Sequence, residues 1–105
     1  MITVIHLVIY SKEWIMIDVQ YSQNVSIQQL SDNTFLLKVI DVKVYQYLLR
    51  QCGKGFGWER SIQKSQSFLN GGIEYHISVS DIPLENFGRD FFMLKPELLN
   101  NIAKN

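Results

Sequence analysis

Apolar and polar side chains alternate in the stretch Ile73-Glu74-Tyr75-His76-Ile77-Ser78-Val79-Ser80, which predicts a strand with one face in water. Successive side chains of a strand point to opposite faces of its sheet, so this alternation predicts one buried and one solvated face. The predicted inward residues are Ile73, Tyr75, Ile77 and Val79. Antiparallel sheets are the ones that commonly leave one face in water. The stretch therefore predicts an antiparallel sheet covered on one side.

Two further predicted strands lie near the start of the chain, and a third lies in its middle. Residues 2–10 are apolar on both alternating faces, which predicts a central strand. Residues 14–20 follow after a short polar turn and would form a hairpin with 2–10. Residues 34–40 are the next strand. The intervening segment 21–33 is rich in Ser, Gln and Asn, and it predicts a loop.

Helices are predicted in three places. Asp41 is a suitable N-cap for a helix over 42–52, whose apolar stripe ends at Cys52, with Gly53 as the residue that stops it. Residues 59–69 predict a second helix, stopped by Asn70-Gly71-Gly72. Pro96 suits the first turn of a terminal helix, with Leu98, Leu99 and Ile102 as the predicted buried face.

The predicted order β-β-β-α-α-β-α is that of an α+β domain. We expect an antiparallel sheet of about four strands with helices packed on one side. The chain of 105 residues is long enough for one hydrophobic core, so residues 1–105 are predicted to form a single domain.

Composition excludes several classes of function. No apolar run approaches the roughly 20 residues of a membrane span, and the first ten residues lack a basic leader, so a cytoplasmic protein without membrane contact is predicted. Cys52 is the only cysteine, which excludes an internal disulfide and a cysteine-based zinc site. With two histidines, no metal or other cofactor is expected. A net charge of zero argues against a dedicated nucleic-acid binder.

A glycine-rich stretch follows the predicted helix: Gly53-Lys54-Gly55-Phe56-Gly57-Trp58. It has neither the spacing of a P-loop nor the preceding strand of a dinucleotide-binding turn. An anion site at the start of the next helix is one interpretation. In a second, Phe56 and Trp58 fold back into the core, because large aromatic side chains are normally buried. In a third, both side chains anchor a partner protein.

Two enzymatic or nucleic-acid functions remain as alternatives. His6 and His76 would act as acid and base in a small metal-independent ribonuclease. The competing interpretation makes His6 a core residue and His76 a surface residue. A nucleic-acid module would instead use Lys43, Lys54, Arg60 and Trp58. Cys52 lies on the apolar stripe of its helix and is interpreted as a core residue rather than a nucleophile.

Acidic and aromatic residues are concentrated late in the chain, in the run Asp81-Ile82-Pro83-Leu84-Glu85-Asn86-Phe87-Gly88-Arg89-Asp90-Phe91-Phe92. Segment 74–97 carries five acidic and two basic residues, whereas segment 38–64 carries six basic and two acidic residues. The run is either an ordinary solvated surface or a docking surface for a basic partner. In the second case carboxylates would steer the partner, and Phe87 or Phe91 would be buried against it.

In its size, its lack of catalytic motifs and this acidic-aromatic run, the chain resembles the small immunity proteins that neutralise bacterial toxins, including those of contact-dependent growth inhibition systems. The resemblance implies a non-enzymatic cytoplasmic protein whose acidic patch covers the basic active site of a toxin, possibly a nuclease. Its neutral net charge departs from the strongly acidic character of many nuclease inhibitors. The predicted partner-binding residues are Asp81, Glu85, Phe87, Asp90, Phe56 and Trp58.

Overall fold

The computed structural model describes residues 16–105, which form an antiparallel sheet of five strands and three α-helices. The strands are β1 (Asp18–Ser22), β2 (Val25–Ser31), β3 (Thr34–Val39), β4 (Ile62–Leu69) and β5 (Gly72–Val79). Their order across the sheet is β1-β2-β3-β5-β4. The predicted α+β class is confirmed, with five strands rather than about four. The predicted strand 2–10 and its hairpin lie outside the described residues.

One face of the sheet carries the core. Its inward side chains alternate along each central strand and are fully buried at Ile27, Leu37 and Ile77, whereas the predicted inward Ile73 and Tyr75 of β5 are half-buried. The helices are α1 (Val42–Arg50), α2 (Leu84–Phe91) and α3 (Pro96–Lys104). The Tyr21 hydroxyl of β1 donates to the Leu94 carbonyl at 2.6 Å, which joins the first described strand to the segment before α3.

Helix α1 begins where the sequence predicts. Asp41 Oδ1 accepts from the backbone N–H groups of Lys43 at 2.8 Å and Val44 at 3.1 Å. Its predicted end is wrong, because the chain continues into a π-helical turn, Gln51–Gly55, in which Gly53 is buried. A left-handed backbone occurs only later, at Gly57, with φ of 80°. This wider turn brings the following aromatic residues back toward the core.

Replacement of Asp41 by alanine tests the cap. It removes the acceptor of two otherwise unpaired N–H groups, so we expect a loss of about 1 kcal/mol in the free energy of unfolding. Urea denaturation measures this loss, and Asp41→Asn is the matched control because asparagine also caps helices. An equal loss in both variants would show that the charge, rather than the cap, matters.

The predicted helix over 59–69 is wrong. After a short 3₁₀ turn, Glu59–Ser61, this segment is strand β4, which pairs along its whole length with β5. Asn70 and Gly71 form the two-residue hairpin turn, with φ of 49° and 79°. Both central residues of such a turn need positive φ, which Asn-Gly provides. The dipeptide interpreted as a helix stop therefore joins two strands.

The predicted loop 21–33 is also wrong, because it contains the end of β1 and all of β2. In β2 the inward positions are Val25, Ile27 and Gln29. The Gln29 side chain is buried, and its Oε1 accepts from the Ile17 N–H at 3.2 Å. A polar residue at an inward position breaks the apolar alternation that would have predicted this strand.

The C-terminal region contains two helices. Helix α2 was not predicted, and it buries Phe87 and Phe91. Helix α3 begins at Pro96 as predicted and buries Leu99, but Leu98 is exposed rather than inward. Within residues 16–105, no helix combines the length and the apolar character needed to cross a bilayer.

Candidate functional site

The aromatic residues predicted as partner anchors belong mainly to the core. Phe87 is 0% exposed and Trp58 is 5% exposed. The Phe87 ring stacks on Phe35 with centroids 4.0 Å apart and lies 5.6 Å from Trp58. Phe56 is half-buried and packs on Trp58 at 4.8 Å. Phe87 and Trp58 are therefore not available as surface anchors in this fold, and the core interpretation of Trp58 is correct.

The three predicted carboxylates lie on or beside α2. Asp81 is exposed in the turn before the helix and has a left-handed φ of 62°, which aspartate tolerates better than most residues. Glu85 is exposed in the first turn, and Asp90 is half-buried in the last. Phe87 and Phe91 fix one side of α2 in the core, so Glu85 projects from the opposite side and the half-buried Asp90 lies at the flank.

A guanidinium group divides this acidic surface. Arg89 Nε donates to Asp90 Oδ1 at 3.2 Å, and Arg89 lies four residues after Glu85, on the same side of the helix. The hydrogen bond to Asp90 and the charges of Asp90 and Glu85 raise the pKa of Arg89. The local charge is therefore less negative than the three carboxylates alone would give.

Met93 adds an apolar group that the sequence analysis missed. It lies two residues after the end of α2, its N–H donates to the Asp90 carbonyl at 3.3 Å, and its side chain is 72% exposed. We call Asp81, Glu85, Arg89, Asp90 and Met93 the α2 surface. Helix α2 ends at Phe91, so helical spacing does not extend to Met93, and the sequence has no local signal for its exposure.

The opposite face of the sheet is polar and carries His76. His76 Nε2 lies 2.9 Å from Glu74 Oε1 on the same strand. Lys38 of β3 and Ser65 of β4 are its cross-strand neighbours. His76 lies on the face away from the core, as predicted, but its side chain is half-buried and only 20% exposed. His6, the second histidine of the ribonuclease hypothesis, lies outside the described residues, so that hypothesis stays a prediction.

Two other predicted sites are incomplete in the folded chain, because a residue or a helix that each one needs is not available. The nucleic-acid hypothesis needs Trp58 for stacking, but this ring is buried, and Lys43 Nζ donates to the Asn105 carbonyl. The predicted anion site needs a helix after the glycines, but only the short Glu59–Ser61 turn and then β4 follow. An open depression of about 610 Å³ lies beside the π-helical turn, with Arg50 and Lys54 among its lining residues.

The remaining candidate chemistry is also absent from the described part of the chain. Burial raises the pKa of the Cys52 thiol to about 12, so the thiol is protonated near neutral pH and is a core residue as predicted. Residues 16–105 contain no group of three or more His, Cys, Asp or Glu residues suited to a metal ion.

Comparisons with models of protein families, with curated proteins and with solved structures found no match to this chain. Its function is therefore argued from its own surfaces. Of these, the α2 surface combines charge, an exposed apolar side chain and a rigid support.

Proposed function

We propose that this protein is a non-enzymatic inhibitor that binds a partner protein, a bacterial toxin, and covers its active site. The α2 surface is the observation that carries this proposal. It combines carboxylates on or beside α2 with an exposed methionine just after this helix, whose other side is held by stacked aromatic rings. A rigid support of this kind reduces the conformational entropy that the surface loses on binding.

The charges favour a basic partner. Three carboxylates and one guanidinium give the α2 surface a net charge of about −2 at neutral pH. Proteins that bind nucleic acid present basic surfaces because they neutralise phosphates. Complementary charges raise the association rate and select the partner, whereas a buried apolar side chain slows dissociation. We therefore assign steering to Asp81, Glu85 and Asp90, and anchoring to Met93.

The first experiment isolates the partner. The intact chain is tagged in its native source, and the eluate is assayed for toxicity and RNA cleavage before and after denaturing separation. A one-to-one partner that is toxic or nucleolytic only after separation supports the proposal. If no partner is recovered and RNA cleavage follows this chain itself, the ribonuclease hypothesis with His6 and His76 replaces it.

Neutralising the carboxylates tests the assigned surface. For the variant Asp81→Asn/Glu85→Gln/Asp90→Asn we expect the association rate with the partner to fall about tenfold or more at low salt, with a smaller fall at high salt. Asparagine at position 81 keeps a residue that tolerates the left-handed backbone. Stopped-flow or surface-binding kinetics measure the rates.

A matched control separates the local effect from total charge. The variant Asp18→Asn/Asp32→Asn/Glu59→Gln changes the net charge equally at exposed carboxylates outside the α2 surface. Equal slowing in both variants would show that only total charge matters, and no slowing in either would remove the α2 surface from the proposal.

Met93→Ala is expected to raise the dissociation rate, with exposed Leu30→Ala as its control.

A further inference from the structure

Strand β4 is one edge of the described sheet. It has eight residues, contains no proline, and pairs with β5 in an unbroken register. At the other edge of the described sheet, β1 has five residues and a register irregularity between Gln20 and Ser22. Natural edge strands are usually shortened, bulged or covered because their free backbone groups pair with other chains. Within residues 16–105, β4 is not shortened, bulged or covered, and Lys64, opposite the buried Ile77, is its one charged side chain, of the kind that discourages edge pairing.

The hydrogen-bonding pattern shows which backbone groups of β4 point away from the sheet. The Ser80 N–H donates to the Ser61 carbonyl at 2.9 Å, so Ser61 and every second residue after it point toward β5. The residues between them have outward N–H and C=O groups. These are Ile62, Lys64, Gln66 and Phe68.

The same strand has an exposed apolar end. Phe68 is 75% exposed and Leu69 is 51% exposed, although both lie in regular β structure. Ile62, at the other end of the strand, is half-buried. Phe68 and Ile62 project from the same face of the sheet, since they are an even number of residues apart.

We propose that β4 pairs antiparallel with β4 of a second copy of this chain. An antiparallel pair related by a two-fold axis keeps the same faces of the two sheets on the same side, so residues of equal parity stand opposite each other. Only one such register pairs all four outward residues. It places Ile62 opposite Phe68 of the other copy, and Lys64 opposite Gln66.

This register places compatible side chains opposite each other. Each exposed Phe68 covers the half-buried Ile62 of the other copy, and each Lys64 meets an uncharged amide. A shift of one residue along each strand would set Lys64 directly against Lys64 of the other copy, which cross-strand repulsion disfavours. The two sheets then continue as one across the interface. The inference is independent of the proposed toxin partner, because it concerns the isolated chain.

A cysteine at the symmetry axis tests the register. Ser65 stands opposite its own copy at a non-hydrogen-bonded position, where Cα atoms lie about 4.5 Å apart, within disulfide reach. We expect Ser65→Cys to form a reducible dimer under mild oxidation. Ser67→Cys is the control, because its two copies would be about 14 Å apart. The native Cys52 is buried and does not compete.

Charge at position 66 tests the same pairing without a covalent bond. Gln66→Glu would place a carboxylate opposite each Lys64, and Gln66→Lys would place an ammonium there. By sedimentation equilibrium we expect the dimer dissociation constant to fall about 2- to 30-fold for Glu and to rise by a similar factor for Lys. The same changes at Gln63, on the other face and opposite Ser67, are the matched controls.

The three variants at positions 65 and 66 change exposed side chains, and circular dichroism checks that they fold. A dimer that cross-links through position 65 and responds with opposite signs at position 66 supports the proposal. A monomer at millimolar concentration, equal cross-linking through positions 65 and 67, or a dimer insensitive to residue 66 would each overturn it.

Discussion

Replacement of Phe87 by alanine is expected to lower the free energy of unfolding by about 3–5 kcal/mol. Phe87 is fully buried, and its ring stacks on Phe35 at 4.0 Å and on Phe91 at 5.2 Å. Trp58 stacks on it from a third segment of the chain, at 5.6 Å. The change removes both the transfer free energy of the ring and the packing around it, and the space cannot fully collapse between aromatic neighbours.

Urea denaturation followed by circular dichroism measures this effect. Because domains of this size have a total stability of about 5–15 kcal/mol, we expect a large fall in the denaturation midpoint. Met93→Ala is the control on the exposed side of the same region, and we expect its change to stay within about 0.5 kcal/mol. A loss below about 1 kcal/mol for Phe87→Ala would contradict its place at the centre of the aromatic core.

Alkaline pH is expected to destabilise the protein through Cys52. Burial raises the pKa of this thiol from its ordinary 9.0 to about 12. Between these values the unfolded chain loses the thiol proton while the folded chain keeps it, so ionisation favours unfolding. The contribution is constant below pH 9, and each further pH unit toward 12 removes about 1.4 kcal/mol of stability.

The comparison with Cys52→Ala isolates this contribution. The variant loses buried volume at every pH but has no thiol to ionise, so its stability should fall less steeply above pH 9. Burial also raises the pKa of Tyr21 and Tyr45, and their ionisation destabilises the natural chain and Cys52→Ala alike at alkaline pH. This shared effect cancels when the stability of one protein is subtracted from that of the other. Urea midpoints from pH 7 to 11 measure the two curves. Parallel curves would contradict the assignment to Cys52.

Local signals in the sequence were sufficient for some elements. The alternation of 73–80 predicted β5, Asp41 predicted the start of α1, and Pro96 predicted the start of α3. Each signal depends on residues within one turn or strand. Strand β4 lacks such a signal because its central residues are exposed on both faces, so Gln and Ser occupy positions that a half-buried strand would fill with apolar residues.

The candidate site was predictable in its charges and not in its apolar contacts. Asp81 and Glu85 lie at the surface, as their type suggests. The burial of Phe87 depends on Phe35 and Trp58, which are distant in sequence, and no periodicity within one segment reports such contacts. Met93 is exposed only because Phe91 and Leu94 take the inward positions next to it. Tertiary packing therefore determines which of these similar apolar residues is buried and which is exposed.

The position of β3 between β2 and β5 has a consequence for the order of events during protein synthesis. Strands β1 to β3 are consecutive neighbours in the sheet, so their pairing can form early, but the second neighbour of β3 is β5, which ends at Val79. Until that residue is made, one side of β3 is an open edge bearing Phe35, Leu37 and Val39. The pairing of β4 with β5 is local, whereas the pairing of β5 with β3 is not, so we expect the docking of the hairpin onto β3 to be the slower step. We therefore expect a chain truncated before Val79 to depend more on chaperones than the full chain does.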